Sequence, residues 1–208
     1  NPKLGNKSNI NSKIEYNSII SINQNIIKEA RKKDKIKPKS IYSLHGIPIL
    51  LKDNINFEGL ATTAGSYALN NNTSKNAFVV DKLKENGALI LGKTNLSEWA
   101  YYFCNNCPSG YSALGGQTLN PYGRKIFDSG GSSSGSGVAI SANFSSVSLG
   151  SETSGSILSP SSASSIVGLK PTVGIVSRSG IVPISSTLDT SGHMTKNVID
   201  NAIVLKAI

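Results

Sequence analysis

Two patches rich in glycine and serine stand close together in the chain, at residues 128–137 and 150–156, and they limit what the surrounding sequence can fold into. Glycine permits backbone conformations that a β-carbon forbids, so such patches let the backbone come close to a ligand. A serine hydroxyl acts as a nucleophile only when a neighbouring group takes its proton. Apolar runs at 138–140 and 147–149 argue against a flexible linker, which would lack apolar packing. The stretch therefore predicts a folded site that needs a base from elsewhere in the chain.

The first half of the chain twice presents a helical pattern followed by an apolar strand. Apolar positions follow helical spacing at 18–37, which predicts a surface helix, and an apolar run at 47–51 predicts a buried strand. A second helical pattern at 74–86 is followed by Gly87, a residue type common just after helices, and leads into a strand at 88–92. This order is typical of α/β layering.

Shorter elements are predicted in the rest of the chain. They are a short helix at 94–102, a long polar loop at 104–127, a helix of small residues at 136–142, a strand at 147–150, a helical turn from Ile157, extended pieces at 167–171 and 174–176, and a helix at 196–208. No stop signal ends the last helix, so we expect the protein to continue beyond it. We predict an α/β fold with a mixed central β-sheet flanked by α-helices, incomplete at its C-terminus. A basic N-terminal arm and helix at 1–40 would precede the main domain at 41–208.

The charge distribution bears on the partners. The net charge is +9, yet residues 1–40 hold ten of the 21 Lys and Arg residues against three acidic ones. Only three basic residues in the whole chain are Arg, which is favoured for bidentate contacts to phosphates and bases. We therefore expect a solvated basic arm and no nucleic-acid partner. No apolar run approaches the roughly 20 residues of a membrane-spanning helix, so no membrane span is expected either.

The cysteine and histidine content argues against a metal site. Cys104 and Cys107 form a single C-x-x-C pair, and the two histidines, His45 and His193, are distant in sequence. A structural zinc site needs four ligands, so no metal is expected. We interpret the cysteines as incidental thiols, with a redox pair as the alternative. Two cysteines do not make a disulfide framework, which favours a reducing compartment, and we expect a cytoplasmic protein.

A Ser-His-Asp triad is the first catalytic hypothesis. Residues 131–135 match the G-x-S-x-G nucleophile elbow with Ser133 at its centre, and Asp189 and His193 are the only candidate partners downstream. The elbow should follow a buried strand, but residues 123–129 do not form one. The context therefore disfavours this triad.

A serine activated by lysine is the second hypothesis. No lysine has a serine three residues before it, which excludes the S-x-x-K motif. A lysine from elsewhere can still act as a base if burial lowers its pKa from about 10.4 towards neutrality. Lys52 directly follows the apolar run at 47–51 and is the lysine best placed for burial.

Several blocks of sequence together resemble the amidase signature family, the Ser-cisSer-Lys hydrolases. In chain order they are GIP at 46–48, LKDNI at 51–55, LGKTNLSEW at 91–99, GGQTLNP at 115–121, GGSSSGSG at 130–137, GSETSGSI at 150–157 and VGLKPT at 167–172. The order of so many blocks is far more specific than any one of them.

The resemblance implies a role for individual residues. It makes Lys52 the base, Ser132 the bridging serine and Ser156 the nucleophile, with a cis peptide bond before Ser132. Backbone N–H groups around three residues would stabilise the oxyanion: Thr153, Ser154 and Gly155. Supporting residues would be Gly131, Asp128 and Glu152.

One difference from the usual family sequence indicates the branch to which this chain is most similar. Many members carry arginine two residues after the nucleophile, whereas this chain has Leu158. That difference favours the general amidase branch over the glutamyl-tRNA amidotransferase subunit of the same family, which stays the first alternative. The second alternative is a non-catalytic or truncated amidase-like binding protein. The resemblance thus implies hydrolysis of a small-molecule amide through an acyl-enzyme, without metal or organic cofactor, and leaves a homo-oligomer open.

Overall fold

A six-stranded mixed sheet organises the chain in this computed structural model, which describes residues 16–38 and 40–208. The strand order is β1-β3-β2-β6-β8-β7. Strand β2 is parallel to β3 and β6, whereas β1, β8 and β7 pair antiparallel with their neighbours. The strands are β1 Ile19–Ile22, β2 Pro48–Lys52, β3 Leu89–Thr94, β4 Tyr111–Ser112, β5 Gly116–Gln117, β6 Val147–Glu152, β7 Val167–Leu169 and β8 Thr190–Thr195. Strands β4 and β5 form a separate small hairpin.

Helices cover both faces of this sheet. They are α1 Ile26–Lys33, α2 Phe78–Glu85, α3 Ser134–Ser141, α4 Leu158–Ala163 and α5 Val198–Ala207. The larger core cluster joins Leu51 and Leu149 of the sheet to Leu83 of α2 and Val204 of α5. Side chains alternate between the faces of a strand, so Leu50 packs instead with Ala139 of α3. The predicted α/β fold with a mixed central sheet and flanking helices is confirmed.

Helix α3 lies unusually close to its neighbours because it is built from small residues. A β-carbon at Gly135 would collide with backbone atoms of Ser18 and Asn95. The Gly135 N–H donates to the Asn95 carbonyl over 3.0 Å. Close approach of this helix brings the first Gly/Ser patch against the ends of the central strands.

The predicted helix at 18–37 is wrong in its first part. Residues 19–22 form strand β1 at the sheet edge, and only Ile26–Lys33 is helical. The isoleucines satisfy a helical spacing, but β3 offers an unpaired edge, and pairing with it satisfies the backbone groups. The Asn23 N–H continues this contact by donating to the Leu91 carbonyl over 2.9 Å.

The predicted boundary between a basic N-terminal arm and helix at 1–40 and a main domain at 41–208 stays a prediction.

Two further differences concern the C-terminal third. Strand β8 was not predicted, because its sequence TSGHMT has no apolar alternation; pairing with both β6 and β7 stabilises it. The extended piece at 174–176 is not a strand, and only an isolated bridge joins Val173 to Val176. The helix at 198–207 and the strand at 147–152 were both predicted, with boundaries shifted by a few residues.

The interpretation of the cysteines as incidental thiols is also wrong. Cys104 and Cys107 form a disulfide, with their Cα atoms 5.8 Å apart. The tight turn between them brings the two sulfurs together, which spacing alone did not reveal.

Among the helices of residues 16–38 and 40–208, none is long and apolar enough to cross a membrane.

Candidate active site

Lys52 ends β2 at the centre of the sheet and is fully buried. Its Nζ atom lies 2.7 Å from the Oγ atom of Ser132. The same nitrogen lies 3.1 Å from the Oγ atom of Ser151 and 3.2 Å from the Ser151 carbonyl oxygen. Asn54 orients this serine by donating from Nδ2 to the Ser151 Oγ atom over 2.8 Å. Among residues 16–38 and 40–208, the amine is hydrogen-bonded only to neutral oxygen atoms.

Burial lowers the pKa of Lys52 from 10.5 to about 7, and the negative charges of Glu152 and Asp189 oppose part of that shift. Removal from water penalises the charged ammonium, and no carboxylate of the described residues forms an ion pair with the nitrogen that would raise the pKa back to its ordinary value. At pH 7 an ordinary lysine is about 0.03% neutral, whereas a pKa near 7 makes about half of the molecules neutral. The site therefore supplies an amine that can accept a proton near neutral pH.

Ser132 joins the lysine to the second Gly/Ser patch. The peptide bond between Gly131 and Ser132 is cis, as expected from the sequence. The Oγ atom of Ser132 lies 3.0 Å from the Oγ atom of Ser156. The Ser97 N–H donates to the Ser132 carbonyl over 3.0 Å. This hydrogen bond fixes the backbone at Ser132. Lysine, bridging serine and second serine therefore form a continuous hydrogen-bonded chain.

Glu152 holds the loop that carries Ser156. Its side chain is almost fully buried and accepts three backbone N–H groups, from Gly155 at 2.8 Å, Ile157 at 2.6 Å and Leu158 at 3.0 Å. A carboxylate that accepts several N–H groups stabilises the conformation that presents them. The loop at 153–157 is thereby fixed with the Ser156 hydroxyl beside Ser132.

The predicted oxyanion donors are not equivalent. The Gly155 N–H is bound to Glu152, which removes it from the candidate donors in this conformation. Within the described part of the chain, the N–H groups of Thr153 and Ser154 have no protein acceptor. The Thr153 hydroxyl donates to Asp189, whose other carboxylate oxygen accepts the N–H groups of 184 and 185. Asp189 thus connects the nucleophile loop to the segment before β8.

The remaining support residues lie at the entry to the first patch. Asp128 is exposed and accepts the Gly130 N–H at 2.6 Å, so it holds a turn rather than contacting the lysine. A β-carbon at Gly131 would collide with the hydroxyl groups of Tyr101 and Ser97, so a larger residue there would displace these side chains.

The residues of the disfavoured elbow do not come together as a triad. The Ser133 hydroxyl donates to the Ser151 carbonyl over 3.2 Å. The Nε2 atom of His193 lies 2.7 Å from the Asn201 carbonyl oxygen, inside the interface of β8 and α5. Burial lowers the pKa of His193.

Sequence reasoning missed the contributions of Ser151 and Asp189. From the sequence, no catalytic role was assigned to Ser151, and Asp189 was considered only for the triad. Both line a cavity of about 270 Å³ beside the hydrogen-bonded chain, together with Asn54, Thr153 and residues 181–186. Ser151 and Asp189 are brought together by the pairing of β6 with β8, in which Glu152 faces Thr190. No local sequence pattern signals that pairing.

Comparison with known proteins shows the family of this chain. The family model described as Amidase matches residues 7–208. An Arabidopsis thaliana protein described as a probable amidase is 48% identical over 180 residues, 86% of this chain and 35% of that protein. A glutamyl-tRNA(Gln) amidotransferase subunit of Thermoanaerobacter pseudethanolicus is 43% identical over 197 residues, 93% of this chain and 39% of that one. The native peptide amidase of Stenotrophomonas maltophilia superposes with a TM-score of 0.89 at 50% identity, covering 93% of this chain and 40% of its own.

The chain therefore spans between a third and two fifths of the length of these three proteins. The family match covers nearly all of this chain, from residue 7 to the last residue. The fold expected from the sequence blocks also recurs in the solved peptide amidase. The chain belongs to the amidase family.

Proposed function

We propose that this chain carries the nucleophile and proton relay of a serine amidohydrolase. The observation that supports the proposal most directly is the continuous contact of Lys52, Ser132 and Ser156, at 2.7 and 3.0 Å. A hydroxyl between amine and nucleophile lets the amine activate a serine that it does not touch.

The proposed first step is attack on the amide carbon. The Ser156 oxygen forms the new C–O bond, its proton moves to Ser132, and the Ser132 proton moves to the neutral Lys52 amine. The N–H groups of Thr153 and Ser154 are the proposed donors to the oxyanion. No metal or organic cofactor takes part.

The second step expels the amine, and the third releases the acid. The relay returns the proton to the leaving nitrogen as the C–N bond breaks, because an amine anion is a poor leaving group. Water then attacks the acyl-enzyme ester, Lys52 again takes a proton through Ser132, and the Ser156 hydroxyl is regenerated with the carboxylic acid.

The substrate is proposed to be a small-molecule carboxylic amide. The cavity of about 270 Å³ beside Ser151 and Thr153 is of a size for a small acyl or amine group. Transfer of ammonia to a partner, in line with the name of the amidotransferase relative, is the second candidate, because that relative is 43% identical. Leu158, in place of the arginine usual in that branch, favours the hydrolase.

Labelling with a fluorophosphonate probe followed by peptide mapping tests the proposal. We expect a single modified residue, Ser156, and loss of labelling in Ser156→Ala. Turnover of a panel of simple amides by the intact protein should disappear in the same variant. Amide hydrolysis that survives Ser156→Ala would contradict the proposal, and ammonia transfer to glutamyl-tRNA would favour the second candidate.

A further inference from the structure

Two lysines, Lys52 and Lys93, are completely buried at the centre of the sheet. They lie on adjacent parallel strands, where Leu51 of β2 is opposite Lys93 of β3. Side chains alternate along a strand, and Lys93 is opposite Leu51, so Lys93 and Lys52 extend from opposite faces of the sheet. Lys52 contacts serine oxygens, whereas Lys93 contacts a carboxylate. Lys93 takes no part in the proposed relay.

Lys93 forms a buried ion pair with Asp53, the residue directly after Lys52. Its Nζ atom lies 3.1 Å from Asp53 Oδ1, and both side chains are fully buried. The ammonium also lies 3.1 Å from the Thr62 hydroxyl oxygen. The other Asp53 oxygen accepts the Thr63 N–H at 3.3 Å and the Thr63 hydroxyl. Both carboxylate oxygens of Asp53 are thus contacted by donors.

The backbone of Asp53 is fixed as firmly as its side chain. Its N–H donates to the Thr94 carbonyl over 3.1 Å, and its carbonyl accepts the Ala64 N–H at 2.9 Å. These contacts fix the position of the peptide group that joins Lys52 to Asp53. Strand β2 ends at Lys52, so these two backbone contacts of Asp53 lie where the chain leaves the strand.

We propose that the Asp53–Lys93 ion pair positions the Lys52 amine for the relay and shields it from the Asp53 carboxylate. The proposal rests on the proposed function. Lys93 is then a positioning residue, because it touches neither Ser132 nor Ser156.

The charges around Lys52 explain why shielding matters. Glu152 at the end of β6 and Asp189 before β8 already raise the pKa of Lys52 against its burial. An unpaired Asp53 carboxylate, one residue away, would add a third negative charge. The amine would then hold its proton at neutral pH and could not accept the proton of Ser132. Burial lowers the pKa of Lys93 too, and the Asp53 charge opposes that shift, so the two partners depend on each other.

The test is the pH dependence of fluorophosphonate labelling at Ser156 in the intact protein, which needs no knowledge of the substrate. The variants are Lys93→Met, Asp53→Asn and the double variant. Lys82→Met is the matched control, because it removes a lysine from an exposed ion pair with Glu85. Unfolding by urea is measured on every variant.

The expected results depend on the sign of the charge that remains. In Lys93→Met the midpoint of the rise in labelling rate should move up by about one pH unit, because the remaining carboxylate stabilises the Lys52 ammonium. Asp53→Asn should leave the midpoint unchanged or lower it. The double variant should be less destabilised than the sum of the two single variants. Its midpoint should be near that of the wild type, with a plateau rate reduced about tenfold by lost positioning.

Three results would overturn the inference. They are a folded Lys93→Met whose midpoint does not rise, a double variant that labels at the wild-type rate, and a double variant that fails to fold, since removing both charges should restore folding. Failure of the proposed function is a separate result: the wild-type protein itself would then label no faster than Ser156→Ala.

Discussion

The carboxylate of Glu152 binds the N–H group of Ile157 at 2.6 Å, directly after the proposed nucleophile. Strand β6 ends at Glu152, so the same residue closes the strand and fixes the loop that follows. Because its charge also raises the pKa of Lys52, Glu152 couples the position of Ser156 to the protonation of the base.

Glu152→Gln is predicted to change both properties. An amide nitrogen cannot accept an N–H group, so we expect a loss of about 2 kcal/mol in the free energy of unfolding, measured with urea. With one negative charge removed, the pKa of Lys52 should fall further, and the rise of activity with pH should begin at lower pH. Glu85→Gln, at an exposed position, is the control. An upward shift of the activity profile would contradict the assigned charge effect.

Ser156→Ala is predicted to abolish amide hydrolysis. Removal of the nucleophile from such a relay costs at least about 10³-fold in kcat, because attack by water then lacks the covalent step. The control is Ser159→Ala, an exposed serine in α4, which should retain wild-type kcat/KM. Equal losses in the two variants would indicate a folding defect instead of a missing nucleophile.

The rate should rise with pH through about 7, the pKa of Lys52. The neutral amine is the form that accepts a proton, so kcat/KM at pH 6 should be about one tenth of its plateau value. Lys52→Met should lose both the activity and the labelling by fluorophosphonate. A profile that falls between pH 6 and 8 would exclude Lys52 as the base.

The same pKa predicts how stability depends on pH. Unfolded Lys52 binds its proton up to its ordinary pKa of 10.5, whereas the folded form releases it above about 7. Between these values the unfolded state holds more protons, so the free energy of unfolding should increase with pH. The full window corresponds to at most about 4 to 5 kcal/mol. Urea unfolding at pH 7.5 and 9 should show the increase in the wild-type protein and a smaller one in Lys52→Met.

Local patterns were enough for part of the fold. The helical spacing before Gly87 and the apolar run after it predicted α2 and β3, because each signal lies within a few residues of the element that it describes. Strands β1 and β8 were not predictable in this way. The isoleucines of β1 also fit a helical spacing, and β8 has no apolar alternation. Both strands are stabilised by partners distant in the chain.

The sequence by itself was enough to name candidate relay residues, because the resemblance of its ordered blocks to the amidase signature family implied Lys52, Ser132 and Ser156. Only the tertiary structure decided their surroundings. The parallel pairing of β2 with β6 puts Lys52 beside Ser151, 99 residues away in sequence, and removes the amine from water. Burial, the charges of Glu152 and Asp189, and the Asp53–Lys93 pair all depend on such long-range contacts. A pKa is set by everything that packs around a group, and no short stretch of sequence contains that information.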